Sequence, residues 1–343
     1  MDRVLITGGT GFIGSHVVRY FCKKEVMVGC LARVGSSPKN IEGLPVKLEY
    51  GDIKDLEGLI NVFKSYDCVI HLAAYASDWG SYESFYNTNV EGTLNVLRAC
   101  AKNGIKNVTI TSSISVYGEE HNNIIKSELS PYNSHYNYLI DKLFHCKLNY
   151  YRDTKALAKQ KAIEYAKDKD LNLTIIEPAW VYGEREFNTG FFEYLKTAKS
   201  GLPIMPGSKK NKFHIIYAGD LARAYYLAFE KKLQGINDII IGNKTGELMD
   251  KIYGIFCEKA GMKKPVNGSK FIFYPFGFIM ELIYTMFRVK KPPLLTRGRV
   301  NMFYDNIEYS TEKAEKLLGF TQEMGLEEGI EKTVNWYKKQ NLL

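Results

Sequence analysis

Short apolar runs alternate with amphipathic segments along the first half of the chain. The predicted strands lie at residues 3–7, 26–32, 46–50, 67–72, 106–111 and 171–176, and most of them are apolar runs with the length of a buried strand. Helical spacing is found between them, most clearly at residues 15–23, 87–101 and 154–167. Strands and helices that alternate about every 20 to 30 residues are typical of a doubly wound parallel sheet. The pattern therefore predicts an α/β fold whose ligand binds at the carboxyl ends of the strands.

Three glycines separate the first predicted strand from the first predicted helix. Gly8, Gly11 and Gly14 follow a G-x-x-G-x-x-G spacing. Glycine is needed where the chain turns sharply and where its backbone touches a pyrophosphate, because a Cβ atom would collide there. The helix that follows would direct the free N–H groups of Phe12 and Ile13 at that phosphate. The spacing predicts a dinucleotide site.

The ends of the next strands supply further candidates for cofactor binding. Arg33 closes the second strand, where its charge suits a ribose 2′-phosphate, although it could instead stack on the adenine. Asp52 could accept a hydrogen bond from the adenine amino group or cap the next helix. Arg33 favours NADP over NAD as the cofactor. The remaining candidates are Ile53, Leu72, Ala73, Ala74, Thr111, Pro178 and Val181.

Four polar residues could serve the proton transfer that accompanies hydride transfer to or from a carbonyl carbon. Tyr151 and Lys155 are four residues apart, so a helix would place them on one face. A tyrosine hydroxyl is a weak acid, and the ammonium of Lys155 would stabilise its phenolate and hold the nicotinamide ribose. Ser113 would bind the reacting oxygen of the substrate beside Tyr151, and Asn89 could order a water that links Lys155 to solvent.

A second Y-x-x-x-K sequence competes with this assignment. Tyr138 and Lys142 have the same spacing and lie closer in sequence to Ser113. The long helical segment after Lys155, which leads into the apolar run at 171–176, favours Tyr151. Residues 119–150 are then an insertion, and its amphipathic segment would cover the mouth of the substrate site.

These motifs, in this order, resemble the extended short-chain dehydrogenase/reductase superfamily. The resemblance covers nearly the whole chain and rests on the glycine triplet, Asp52 and residues 71–74, 89–93, 111–113 and 151–155. It implies a Rossmann doubly wound parallel sheet with a smaller, mostly helical C-terminal substrate domain. Residues 1–177 would bind NAD(P) and residues 178–343 the substrate, with part of 214–241 returning to the sheet. By the same resemblance, helices at 89–101 and 154–167 would form a homodimer interface.

The later motifs resemble the 3β-hydroxysteroid dehydrogenase and dihydroflavonol-reductase-like branch. They lie at residues 78–80, 220–224, 291–297, 312–320 and 325–337. This implies oxidation of a secondary alcohol, or reduction of a ketone, on a sterol-like, flavonol-like or β-keto lipid substrate. Trp180 stands where sugar-nucleotide enzymes tend to carry asparagine, so Trp180 and Trp79 are candidate apolar substrate contacts. Arg297 and His214 could touch a polar substrate end or be structural. The alternative is an NAD-dependent nucleotide-sugar 4-epimerase that uses the same Tyr151 and Lys155.

The composition limits which partners the protein is expected to bind and indicates its cellular compartment. The net charge is +8, but Lys and Arg are scattered, which argues against nucleic-acid binding. The six cysteines form no C-x-x-C pair and favour reduced core thiols in a cytoplasmic protein. The histidines are dispersed and form no metal-binding motif, so no metal site is expected.

One stretch, residues 271–287, is unusually apolar. Its 17 residues contain five phenylalanines, two tyrosines and a single charge, Glu281. It is shorter than the ~20 apolar residues of a spanning helix, and Pro275 and Gly277 interrupt it. Its composition favours a core helix beside the substrate cleft. A peripheral membrane contact, with access to a lipid-dissolved substrate, is the other interpretation.

Overall fold

Seven parallel strands form the central sheet of the computed structural model, which describes residues 2–118, 124–186 and 190–343. The strand order is β11-β6-β5-β4-β1-β2-β3. The strands within the described residues are β1 (Arg3–Thr7), β2 (Met27–Ala32), β3 (Val46–Tyr50), β4 (Cys68–His71), β5 (Asn107–Thr111), β6 (Asn172–Pro178), β7 (Trp180–Tyr182), β8 (Ile204–Pro206), β9 (Lys212–Phe213), β10 (Ile215–Tyr217), β11 (Ile236–Ile241), β12 (Glu247–Leu248) and β13 (Val266–Gly268).

The chain changes direction across the sheet between β1 and β4. The first three strands run outward from β1 to one edge, and β4, β5 and β6 run outward from β1 to the other. In such sheets the crevice at this reversal is the ligand site, because the two adjoining loops leave in opposite directions. The predicted Rossmann α/β fold is confirmed.

Helices cover both faces of the sheet. They are α1 (Phe12–Lys23), α2 (Leu56–Phe63), α3 (Tyr82–Phe85), α4 (Gly92–Lys102), α5 (Lys147–Asp168), α6 (Gly190–Lys199), α7 (Ala218–Lys231), α8 (Met249–Ala260), α9 (Lys270–Met286), α10 (Arg297–Met302), α11 (Glu312–Leu318) and α12 (Leu326–Lys339). One apolar core contains buried residues of α1 and α7, and a second contains those of α2, α4 and α5. Helices α4 and α5 lie side by side, and dimerisation through them stays a prediction.

Several boundaries differ from those predicted. Helix α5 begins at Lys147, four residues before Tyr151, and a π-helical turn (Tyr86–Glu91) precedes α4.

Strand β11 joins the sheet beside β6, and α7 packs on the face that carries α1. Residues 119–123 of the insertion lie outside the described residues. Its amphipathic segment, 138–144, forms turns.

Helix α9 differs from the core helix that its composition favours. Only Gly277 and Glu281 are buried, and most of its apolar side chains are exposed. Among the described residues, every helix is too short or too polar to cross a bilayer.

Candidate active site

The glycine loop after β1 has the shape that a pyrophosphate requires. Gly8 has φ of 72°, and a Cβ atom there would lie 2.7 Å from the Ala73 nitrogen. A Cβ on Gly14 would lie 2.1 Å from the Gly8 carbonyl oxygen, so only glycine lets α1 pack against the loop. A Cβ on Gly11, by contrast, would meet nothing closer than that oxygen, at 3.3 Å. The unpaired first N–H groups of α1, including those of Phe12 and Ile13, can therefore bind an anion. These residues fit a dinucleotide.

The loop after β4 meets the glycine loop at the reversal of strand order. The Leu72 nitrogen donates to the Thr7 carbonyl at 3.1 Å, and the Ala73 nitrogen donates to Thr7 Oγ1 at 3.2 Å. Ala73 and Ala74 are half-buried, and their small side chains leave room for a cofactor. This places both predicted loops at one crevice.

The adenosine end of the predicted site lies beyond β2 and β3. Arg33 follows β2 directly and is exposed. Asp52 accepts from the Lys54 nitrogen at 3.0 Å, whereas α2 is capped by Asp55, so the alternative role of Asp52 as a helix cap is wrong. Ile53 is buried against Gly92.

Two further cofactor candidates lie on the other side of β1. Pro178 ends β6, and Val181 lies in β7. The binding roles of all these residues stay predictions.

Ser113, Tyr151 and Lys155 meet at the carboxyl end of β5. Lys155 is buried, and its ammonium donates to the Thr111 carbonyl at 2.8 Å. Burial lowers the pKa of Lys155 to about 8. Burial also raises the pKa of Tyr151, and a hydrogen bond with the Ser113 side chain offsets part of that rise. The arrangement holds a phenol, a hydroxyl and an ammonium together at the end of β5, the strand next to β4.

Asn89 ties the loop after β4 to helix α5. Its Oδ1 accepts from the Tyr75 nitrogen at 2.8 Å, and its Nδ2 donates to Thr154 Oγ1 at 3.2 Å. Thr154 precedes Lys155, so Asn89 helps to fix the position of the helix that carries Tyr151 and Lys155. The water between Asn89 and Lys155 stays a prediction.

A chain of buried hydrogen bonds that the sequence analysis missed supports Asn89. Thr93 Oγ1 donates to the Asn89 carbonyl at 2.7 Å. Because its proton is used there, Thr93 Oγ1 accepts from His71 Nε2 at 3.1 Å. His71 Nδ1 then accepts from Thr7 Oγ1 at 2.7 Å, while Thr7 Oγ1 accepts from the Ala73 nitrogen. Burial, together with the charge of Lys155, lowers the pKa of His71 to about 3, so the ring is neutral.

A buried ionic cluster, also missed, attaches α5 to the sheet. Lys159 lies one turn beyond Lys155 and is 2.9 Å from Asp238 and 3.1 Å from Glu177. The Tyr117 hydroxyl donates to Glu177 at 2.6 Å. A lysine at this spacing is an ordinary feature of an exposed helix face, so the sequence gives no signal that this one is buried.

The competing pair, Tyr138 and Lys142, does not come together in the way that Tyr151 and Lys155 do. Tyr138 is buried in a small cluster with Cys146 and Leu148, and Lys142 is exposed. Residues 138–144 form turns, so the spacing of four does not place Tyr138 and Lys142 on a helix face. The geometry favours Tyr151.

The two candidate tryptophans are packed into the structure around the site. Trp79 is 5% exposed, and its Nε1 donates to the Val289 carbonyl at 2.9 Å. The Trp180 ring packs against Phe213, with ring centroids 5.3 Å apart, and remains partly exposed. Contact of either ring with a substrate stays a prediction.

Arg297 and His214 are structural. Both are fully buried, and the Arg297 Nε is 2.9 Å from Glu281. His214 Nδ1 accepts from the Tyr309 nitrogen at 3.0 Å, and its Nε2 lies 2.7 Å from the Asn243 carbonyl. The polar atoms of both residues bind other groups of the protein, which favours the structural alternative over contact with a polar substrate end.

The sequence profile of the NAD dependent epimerase/dehydratase family matches residues 4–242, which include the glycine loop, Ser113, Tyr151 and Lys155. The chain belongs to this family. It is therefore an NAD(P)-dependent enzyme of the extended short-chain dehydrogenase/reductase type.

Relatives of known activity align over almost the full length. The chain is 27% identical to the 2-alkyl-3-oxoalkanoate reductase of Stenotrophomonas maltophilia, over 96% of this chain and 97% of the relative. It is 28% identical to the decarboxylating sterol-4-alpha-carboxylate 3-dehydrogenase of Saccharomyces cerevisiae, over 98% of each chain. Among solved structures, the UDP-glucose 4-epimerase of Thermus thermophilus in complex with NAD has a TM-score of 0.73 and 25% identity, and the match covers 98% of this chain and 99% of that one.

Cysteines and possible metal ligands add no further site. All six cysteines are unpaired, and all but Cys22 are buried. Within residues 2–118, 124–186 and 190–343, no group of three His, Cys, Asp or Glu side chains is placed to hold a metal ion.

Proposed function

We propose that this enzyme interconverts a secondary alcohol and a ketone on a bulky, mostly apolar substrate by hydride transfer. The observation that carries the proposal is the meeting of Ser113, Tyr151 and Lys155 at the end of β5. Since β5 lies beside β4, and β4 beside β1, this group stands next to the crevice that fits a dinucleotide.

The three side chains divide the work of proton transfer. A bound nicotinamide cofactor would supply the hydride to the carbonyl carbon. Tyr151 would give its proton to the carbonyl oxygen, and Ser113 would hold that oxygen in place. The phenolate left on Tyr151 would be stabilised by Lys155, whose pKa of about 8 leaves it mainly charged at pH 7. Alcohol oxidation would reverse each of these transfers.

An apolar substrate is supported by the residues around this group. Trp180, partly exposed in β7, stands where sugar-nucleotide enzymes tend to carry asparagine, and an aromatic ring there suits an apolar substrate. The residues after Ser113, which are Ile114, Ser115 and Val116, lack the carboxylates expected of a dehydratase and so disfavour that reaction. The relatives that act on a 2-alkyl-3-oxoalkanoate and on a sterol carboxylate support the same class. The competing function is nucleotide-sugar 4-epimerisation, which the match to a UDP-glucose 4-epimerase favours.

NADP is the cofactor that we propose. Arg33 is exposed directly after β2, where a 2′-phosphate would lie, and its guanidinium could bind that phosphate through two hydrogen bonds. The family and the NAD-bound structural relative support NAD as the alternative.

Replacement of the proton donor tests the proposed reaction. The purified enzyme is assayed by the absorbance of the reduced nicotinamide with a panel of hydrophobic ketones. Tyr151→Phe is expected to lower turnover roughly 10³-fold, because it removes general acid catalysis. Binding of the cofactor, measured by fluorescence titration, should change little.

Tyr138→Phe is the matched control, since it removes the hydroxyl of the competing Y-x-x-x-K sequence and should leave turnover close to wild type. Loss of activity in Tyr138→Phe but not in Tyr151→Phe would refute the assignment of the donor. Interconversion of UDP-hexoses, with NAD released on denaturation and no ketone reduced, would establish the epimerase instead.

A further inference from the structure

Helix α9 presents its apolar side chains to the outside and its charge to the inside. Every exposed residue between 271 and 287 is apolar, and Phe271 is 91% exposed. Glu281, the only charge in that range, is fully buried. A surface helix of a globular protein normally has the reverse arrangement, with its polar face in water. The exposed residues of the helix are Phe271, Ile272, Pro275, Phe276, Ile279, Leu282, Ile283 and Met286, and Phe287 directly after the helix is exposed as well.

Buried contacts fix the rotation of α9 about its axis. Arg297 reaches Glu281 with Nε at 2.9 Å and Nη2 at 3.2 Å. The guanidinium lies between the rings of Phe144 and Phe278, at 4.9 and 5.2 Å from their centroids. Gly277 packs against the backbone of Thr296, where a Cβ would come within 3.0 Å. Because these contacts hold the inner face, the outward position of the apolar face is part of the fold.

The insertion extends the same apolar surface. The Leu139 nitrogen donates to the Tyr274 hydroxyl of α9 at 3.1 Å, which places the two segments side by side. Leu139, Ile140 and Leu143 are exposed, and Leu143 is 88% exposed. Together with the nine exposed residues at 271–287 they make twelve exposed apolar side chains, and an exposed apolar cluster of this kind marks an interaction surface. We call α9 with residues 139–143 the apolar face.

Positive charges border the apolar face. Arg288, Lys290 and Lys291 follow α9 directly and are exposed, and Lys142 is exposed between Ile140 and Leu143. Glu281 is the only acid between residues 270 and 291, and it is paired inside. An apolar surface with a basic border is complementary to a bilayer whose headgroups are anionic.

We propose that the apolar face docks on an anionic lipid bilayer, with α9 lying in the plane of the interface. The helix has 17 residues, fewer than the ~20 that span the hydrocarbon, so it rests on one leaflet. Each side chain of α9 that faces outward would enter the headgroup region, while the basic border would meet the lipid phosphates.

The docked face is connected to the active site. The Trp79 ring lies edge-on to Tyr284 of α9 at 6.4 Å, and its Nε1 binds the Val289 carbonyl just beyond the helix. Trp79 belongs to the loop after β4, and Tyr75 of that loop binds Asn89. A substrate dissolved in the bilayer would thus reach the enzyme at the side where α9 and this loop meet. This last step rests on the proposed function, whereas docking itself does not.

Vesicle sedimentation with the full-length enzyme tests the docking. Vesicles of phosphatidylcholine and phosphatidylglycerol at a 3:1 ratio are compared with vesicles of phosphatidylcholine alone. The enzyme is expected to partition at least tenfold more strongly onto the anionic vesicles. Phe276→Glu combined with Ile279→Glu should lower that partition at least tenfold, because both charges lie on the exposed face. Leu129→Glu is the control, since Leu129 is 94% exposed and its neighbour Glu128 accepts from the Ile240 nitrogen of β11, and this variant should bind like wild type.

The outcomes separate docking from catalysis. The double variant should reduce a small water-soluble ketone at the wild-type rate and lose activity only on a ketone embedded in vesicles. Vesicle binding without reduction of any ketone would refute the proposed function and leave docking supported. Docking is overturned if the wild type does not partition, or if the double variant partitions equally. It is also overturned if sedimentation equilibrium shows a dimer that the two glutamates dissociate, because a second copy would then cover the face.

Discussion

Helices α1 and α9 show two opposite ways of attaching a helix to this fold. Helix α1 buries Val17, Val18 and Phe21 against the sheet. Helix α9 buries Gly277 and Glu281 and turns phenylalanines outward. In α1 the apolar side chains supply the packing energy, so the sequence pattern and the burial agree. In α9 an ion pair sets the orientation, and the apolar side chains are left for another partner.

The two regions also differ in how they bury polar groups. Around the cofactor crevice, Thr7, His71 and Thr93 form a neutral chain in which each hydroxyl both donates and accepts. Under α9 the buried groups form the ion pair of Glu281 and Arg297, and Arg297 also donates to the carbonyls of Leu139 and Phe144. Protonation of His71 in the neutral chain is unfavourable because it would place a charge in a buried site. The Glu281–Arg297 pair stabilises the fold only while both partners are present, because the loss of one leaves the other as an uncompensated buried charge.

The largest expected effect comes from breaking the buried pair. Glu281→Gln removes the negative charge and leaves Arg297 buried without its counter-ion, which should lower the free energy of unfolding by about 3–5 kcal/mol. Urea denaturation measures the change. Asp67→Asn, which breaks the exposed pair with Arg3, is the control and should remain close to wild type. Equal effects of the two substitutions would show that α9 is not held by its ion pair.

The next largest effect is expected when the pH is lowered, because protonation of His71 should decrease the free energy of unfolding. Its pKa is about 3 in the folded protein and near 6.5 when unfolded, so the unfolded state binds the proton first. The neutral ring stabilises the fold above pH 6.5, and this contribution is lost as the pH falls toward 3. Between pH 7 and 4.5 the loss should be about 2 kcal/mol. Urea denaturation across this range should therefore be less pH-dependent in His71→Gln than in wild type, and parallel curves would contradict the role of His71.

The smallest effect is expected at the exposed rim of the cofactor crevice. Arg33→Ala should weaken NADPH binding about tenfold and leave NADH binding nearly unchanged, because only NADPH carries the 2′-phosphate. Fluorescence titration gives both dissociation constants, and Lys47→Ala on exposed β3 serves as the control. If wild type binds NADH as tightly as NADPH, the preference for NADP is wrong.

The first half of the fold could be predicted closely because its signals are local. Six of the seven sheet strands lie within two residues of the strands that the sequence predicts. Strands buried on both faces, such as β1 and β4, need a continuous apolar stretch, whereas β3 at the edge of the sheet alternates apolar and polar residues. Gly8 and Gly14 could be assigned to a phosphate loop because no other residue fits their backbone positions. The burial of Lys159 had no such signal, because its partners Glu177 and Asp238 come from distant strands.

The sequence by itself determined the order of strands and helices, the glycine loop and the pair of Tyr151 and Lys155 on one helix face. These features follow from backbone sterics and from the periods of helix and strand, which act between near neighbours in the chain. Only the tertiary structure brought Ser113 to Tyr151, connected His71 to Asn89 and turned the apolar side of α9 outward. Each of these depends on which distant groups share a buried space, where an unpaired charge or hydrogen-bonding group is too costly to leave.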